Sequence, residues 1–182
     1  VIQQFATFAR PVLDLPLVRR TRRNHGLEHA TITMLSGRLS RVMLAGRSDS
    51  GGFFLFGDVS TDAVRTAVDD ALRRMRNGER GLAIHPNCGT NLVTTSFVVS
   101  LAAMLGLTGA SRKQWLGRLP TVMGLVSFGI LLSQPLGLSL QRHVTTDGDP
   151  ADLEVVSIAR SEMTLPWNRT PTTVHRVSTR SR

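Results

Sequence analysis

Two short stretches hold most of the chemistry this chain could perform. The first, His25-Gly-Leu-Glu-His29, reads H-x-x-E-H. On a helix, residues four apart share a face, so both imidazoles project together and can grip one divalent metal, with Glu28 beside them. The second, His85-Pro-Asn-Cys88-Gly-Thr90, sets a histidine and a cysteine three apart around a Pro-Asn turn. Short ligand pairs of this kind converge on one ion in zinc sites. His25, His29, His85 and Cys88 are therefore four candidate ligands, and the borderline-soft mixture of imidazole and thiolate suits zinc. Cys88 also precedes an apolar segment expected to be helical, and a helix N-terminus favours the thiolate.

The ligand types leave two metal readings open. In inverted zincin-type peptidases the H-x-x-E-H spacing supplies two ligands and a general base, which would make Glu28 the group that takes a proton from metal-bound water at a membrane-surface peptidase. His143 and His175 are then candidates for stabilising an oxyanion by residue type only, and Asp147, Asp149 and Asp152 for a further ligand, although Asp-Gly-Asp-Pro is ordinarily a turn. If instead all four ligands bind, the tetrahedron is closed. The ion then contributes folding energy without hydrolysing anything, and Glu28 orients an imidazole. A metal-free core, and Cys88 as a nucleophile with His85 or His29 as base, rank lower.

The elements that must position these groups are legible in outline. Arg19, Arg20, Arg22 and Arg23 form a basic collar ahead of a helix expected from about His25 to Ser36 and stopped by Gly37. Arg41 to Ala45 and Phe53 to Phe56 read as strands of a hairpin turning through the glycine-rich Gly46 to Gly52, which lacks the Lys-Ser/Thr ending of a phosphate loop. Ser60 or Thr61 caps an amphipathic helix with Val64, Ala67, Val68, Ala71, Leu72 and Met75 on its core face, ending near Asn77-Gly78. Asp69, Asp70, Arg73 and Arg74 fall on its solvated side. Leu153 to Arg160 and Thr172 to Thr179 alternate, with Pro166, Asn168 and Pro171 between them, and predict a closing hairpin beside the first; the last residues, 178–182, are expected to fray.

Charge patterning supplies the remaining constraint. The 182 residues carry 22 Lys and Arg against 13 Asp and Glu, yet Asn91 to Ala110 has no charge and Leu119 to Leu140 is another uncharged run. At about 1.5 Å per residue the latter spans roughly 33 Å, enough for a bilayer core. The fold class expected is an α+β membrane protein: a two-helix transmembrane hairpin carrying a small α+β head with β-hairpins. The parts are a basic interfacial arm (1–23), the head with the metal motifs (24–90), the hairpin (91–140) and a C-terminal β-hairpin on the head (141–182). The lipid bilayer is the partner this implies, in the inner, cytoplasmic membrane as a multi-pass protein; Arg112, Lys113 and Arg118 in the loop between the helices divide the positive-inside count, and the larger basic content of the terminal portions tips the head to the cytoplasm. Size and two helices also fit an accessory subunit of a larger membrane complex. The arginine collar lacks aromatic interleaving, so anionic lipid is a better partner for it than nucleic acid, and a merely solvated basic turn fits the pattern equally well. Phe5, Phe8, Val12 and Leu13 fit either a membrane-surface segment or an arm packed on the head, with the packed arm slightly favoured. Residues 1–23 hold no apolar run of signal-peptide length, and no cleavage is expected there. One cysteine excludes an internal disulfide and a cysteine-only zinc ribbon.

The words His25-Gly-Leu-Glu-His29-Ala and His85-Pro-Asn-Cys88-Gly-Thr90 resemble the paired H-G-x-E-H and H-P-x-C-G-T motifs of the YqhQ-like membrane proteins of unknown function. A related uncharacterised bacterial family is more similar still, through Gly46 to Gly52 and Gly78 to His85. The resemblance covers residues 24–97 and implies a membrane-embedded protein with a metal site. Asn87 departs from the arginine more usual in the YqhQ-like group, so no role tied to that cation is transferred.

Overall fold

The computed structural model describes residues 2–39, 42–111, 113–165 and 168–181, without the side chains of 165 and 168–170. Arg41, Arg112, Pro166 and Arg182, named in the strand, loop, turn and terminal expectations, lie outside the described residues. The chain forms two compact units: residues 1–85 with 142–182, and residues 86–141.

The first unit opens with two short helices, α1 (Ile2–Phe8) and α2 (Arg10–Leu13), followed by the long α3 (Pro16–Arg38). Proline at the first helical position costs no hydrogen bond there, so α3 starts at Pro16 and not near His25. Nor does Gly37 stop it: the helix runs past this exposed glycine, and Leu39 N–H still bonds Leu35 C=O at 2.8 Å. The arginines of the expected collar are therefore helical and half-buried, with Arg23 bonded to Asp152 at 3.1 Å.

A four-stranded antiparallel sheet in the order β1-β2-β4-β3 packs against this helix, built from β1 (Ala45–Asp49), β2 (Gly52–Phe56), β3 (Glu154–Leu165) and β4 (Asn168–Arg180). The closing hairpin thus joins the first through β2 and β4, as expected. The first hairpin is tighter than its apolar pattern suggested. Its turn occupies Ser50 and Gly51, where Asp49 Oδ1 accepts the Gly51 N–H at 2.8 Å, and Gly46 to Asp49 are strand. Gly52 takes φ +140°, and a Cβ there would lie 1.9 Å from the Val177 carbonyl oxygen.

Helix α4 (Thr61–Arg76) starts where its cap predicts, with Ser60 Oγ accepting the Ala63 N–H at 3.2 Å. All six residues of its expected core face are buried. With Leu27, Ala30 and Leu35 of α3 and Phe53 and Leu55 of β2 they form the core. Outward, Asp70 pairs with Arg38 and Arg73, and Arg74 with Glu79. A 3₁₀ turn, Arg80–Ala83, leads to His85.

The second unit is a helical pair, α5 (Gly89–Leu107) and α6 (Leu119–Leu140), each long and apolar enough to cross a bilayer. Their large side chains face outward: Phe97, Met104, Phe128 and Leu131 are each at least 60% exposed. Between the helices the side chains are small or hydrogen-bonded. Thr95 and Ser133 hydroxyls meet at 2.8 Å, Gln141 Nε2 donates to Asn91 Oδ1 at 2.8 Å, and Gly106, Gly129 and Gly137 allow close approach.

Candidate metal centre

Helix α3 fixes the first two candidate ligands. His25 and His29 lie one turn apart with ring centroids separated by 4.4 Å. Each ring is held by its δ nitrogen: His25 Nδ1–H donates to the Thr145 carbonyl at 3.0 Å, and His29 Nδ1–H to the Ala83 carbonyl at 2.8 Å. A carbonyl only accepts, so the proton of each neutral ring sits on Nδ1 and the lone pair on Nε2. This is the arrangement found where histidines bind metal, the second nitrogen being oriented by a backbone carbonyl.

His85, at the end of the first unit, brings its ring centroid to 5.9 Å from that of His29. Burial pushes its pKa down, which favours the neutral, ligating form. Within the first unit His29 thus neighbours both of the other imidazoles. The fourth, Cys88, belongs to the second unit, where it is buried and caps α5, its Sγ accepting the Thr90 N–H at 3.4 Å.

Gly26 shows why the motif needs a glycine between its histidines. A Cβ at this position would lie 2.3 Å from the Asp147 carbonyl oxygen, because the 145–147 segment lies directly on α3. Besides the His25 bond, Arg22 Nη2 donates to the Thr146 carbonyl at 3.2 Å and Asp147 N–H to the Arg22 carbonyl at 3.0 Å. The segment that orients His25 is held against the helix by contacts to the turn just before Gly26.

Glu28 is buried, and its carboxylate turns to β1. There it accepts the Ser48 hydroxyl and covers Gly46, where a Cβ would lie 2.2 Å from Glu28 Oε1. Gly46 and Ser48 are two apart and so share a strand face. One supplies room and the other a donor, which explains a strand with so little apolar side chain. Burial raises the Glu28 pKa, and the Ser48 hydrogen bond opposes that rise.

The other candidates lie in ordinary structural settings. Asp147 Oδ1 accepts the Asp149 N–H at 3.0 Å and Asp149 Oδ1 the Ala151 N–H at 2.9 Å, the self-bonding of a turn. Asp152 pairs with Arg23. His175 is fully buried in β4 with Nε2 3.1 Å from the Thr61 hydroxyl, and His143 sits in the π-helical turn Gln141–Thr145. Asn24 was not foreseen: its amide donates to the Asp49 carbonyl at 2.8 Å and accepts the Thr179 hydroxyl at 2.7 Å, tying α3 to two strands. Nor was an open pocket of about 470 Å³ lined by Arg80, Ala83, Arg142, Thr146 and Asp147. No local pattern marks it, since its walls come from segments more than fifty residues apart.

The family model described as Domain of unknown function (DUF6391) matches residues 20–158. That range holds both histidine motifs, the first hairpin and both apolar helices. An uncharacterised protein of Picosynechococcus sp. strain PCC 7002 is 34% identical over 140 residues, covering 69% of this chain. This chain spans 65% of that relative's length. No solved structure matches the chain. With its motif helix, hairpin and helical pair all inside the matched range, the chain belongs to the DUF6391 family.

Proposed function

We propose that this is an integral membrane protein of the DUF6391 family in which His25, His29, His85 and Cys88 hold one zinc ion as a structural clamp. The observation that carries the reading is the pair of Nδ1–H···O=C bonds at His25 and His29, which orient two imidazoles one helical turn apart as metal ligands. The nearby His85 ring supports a third nitrogen, and the three-residue step from His85 to Cys88 supports a thiolate as the fourth ligand. Three imidazoles and a thiolate form a closed tetrahedral set for zinc, and thiolate charge weakens the ion as a Lewis acid. The YqhQ-like words in the sequence point the same way. The two apolar helices support a bilayer hairpin, and the flanking arginines a cytoplasmic head in the inner membrane.

A second reading, a zinc peptidase with Glu28 as general base, is favoured by the burial of Glu28 beside both histidines. Against it stands the Ser48 hydroxyl, which already occupies one carboxylate oxygen.

The test is elemental analysis of protein purified in detergent without added metal, alongside His29→Ala and Cys88→Ala. The expected outcome is about one zinc per chain in the parent and loss in both variants. Zinc lost only with His29→Ala would open a coordination position and favour the peptidase. An intact chain that takes up no zinc, even when offered it, refutes both readings.

A further inference from the structure

We propose that the amino-terminal arm, residues 2–15, lies along an anionic bilayer surface as an interfacial anchor. The proposal rests on the reading of the chain as a membrane protein. Within the arm, α1 and α2 follow each other nearly helically, with Ala9 N–H bonded to Phe5 C=O at 2.8 Å and Leu13 N–H to Ala9 C=O at 3.0 Å. Helical spacing sorts their side chains into three stripes. Ile2, Ala6, Ala9 and Leu13 form the inner stripe, which is partly or fully buried. Gln3, Thr7, Arg10 and Asp14 form a polar stripe exposed to solvent. Phe5, Phe8, Val12 and Leu15 form the third, and they are 57%, 85%, 59% and 51% exposed.

The distribution is inverted for an arm packed on its own domain. Alanines take the inner positions, while the two phenylalanines point away. Leu17, 66% exposed, extends the apolar surface into α3.

Charge selects the occupant. Arg10, Arg19 and Arg20 stand against Asp14 as the only acid through residue 23, while Arg22 and Arg23 are engaged within the first unit by the Thr146 carbonyl and Asp152. Arg10 stays exposed on the polar stripe, and cations on and just after an apolar segment of this kind bind anionic headgroups while its apolar stripe enters the acyl boundary. A second protein surface fits less well. A whole aromatic side chain buries about 150–250 Å², so four partly exposed side chains fall short of the ~800 Å² per partner of a stable interface.

The full chain is reconstituted into liposomes of mixed phosphatidylglycerol and phosphatidylcholine containing lipids brominated either high on the acyl chain or near its end. Phe8→Trp and Gln3→Trp are compared with the parent, whose Trp115 and Trp167 set the background. The expected result is loss of most of the added emission at position 8 with shallow bromines, little loss at position 3, and a weaker effect without phosphatidylglycerol. No quenching at position 8, equal quenching at both positions, or stronger quenching by deep bromines would each overturn the anchor. Carbonate extraction of the same liposomes reads the spanning helices separately: a chain that resists extraction with position 8 unquenched loses the anchor alone, and a chain that is extracted loses the membrane-spanning reading.

Discussion

Replacing Gly26 by alanine should destabilise the first unit although alanine is the better helix former. The exchange gains about 1 kcal/mol of intrinsic helix propensity. Against this, the new Cβ would lie 2.3 Å from the Asp147 carbonyl oxygen and 3.2 Å from the Ala83 Cβ, and the nearest of these is backbone that cannot rotate aside. Overpacking of this kind costs about 1–3 kcal/mol. Displacing residues 145–147 also strains the His25 to Thr145 bond, worth about 0.5–1.5 kcal/mol. The net expectation is a loss of about 1–3 kcal/mol, a fall in thermal midpoint of roughly 2–10 °C for a chain of this size. Gly37→Ala supplies the control on the same helix. Nothing lies within 4 Å of its Cβ position, so the propensity gain should stand alone, at about +1 kcal/mol. Thermal unfolding followed by circular dichroism in detergent, on zinc-free protein to separate packing from metal binding, measures both. Gly26→Ala as stable as Gly37→Ala would refute the docking of the 145–147 segment on α3. Zinc competition then reads the consequence for the site: a ligand that loses its orienting carbonyl binds about 10–100-fold more weakly.

Other expectations concern the sheet and the helical pair. His175 is buried in β4, and burial, aided by the positive charge of Arg160, depresses its pKa below the ordinary 6.5. The unfolded chain therefore binds a proton that the folded chain refuses, so this group leaves stability intact above pH 6.5 and erodes it as pH falls below that value. The thermal midpoint should drop between neutral and mildly acidic pH, and His175→Gln should show a shallower drop; parallel profiles would refute the assignment. In the second unit a Cβ on Gly137 would lie 2.3 Å from Asn91 Oδ1, so Gly137→Leu should force α5 and α6 apart and cost about 1–3 kcal/mol. Gly124→Leu, with nothing within 4 Å of its Cβ position, should be tolerated, and denaturant titration in detergent distinguishes them. Ser48→Ala should cost about 1.5–3 kcal/mol, the range for a hydrogen bond to a charged group, because it removes a donor from the buried Glu28 carboxylate. A neutral effect on the same unfolding curve would show that the hydroxyl does not support Glu28.

By itself the sequence determined whatever depends on near neighbours in the chain. Periodicity gave α4 and its whole buried face, uncharged length gave two helices able to cross a bilayer, and alternation gave the closing hairpin. Histidines four apart share a helix face whatever surrounds them, so the convergence of His25 and His29 was legible too. The extent of α3 was not, because Gly37 and the arginine cluster are weak local signals that a long packed helix overrides. Tertiary structure alone decided that Gly46 to Asp49 form a strand, since their reason is the buried Glu28, eighteen or more residues back in the chain. It also decided which carbonyls orient the two imidazoles. Thr145 and Ala83 act through their backbones, and every residue has a carbonyl, so no side-chain pattern can announce that role. The same holds for the arm, where spacing placed the phenylalanines on one stripe but only the packed alanines beside them showed that this stripe faces away from the protein.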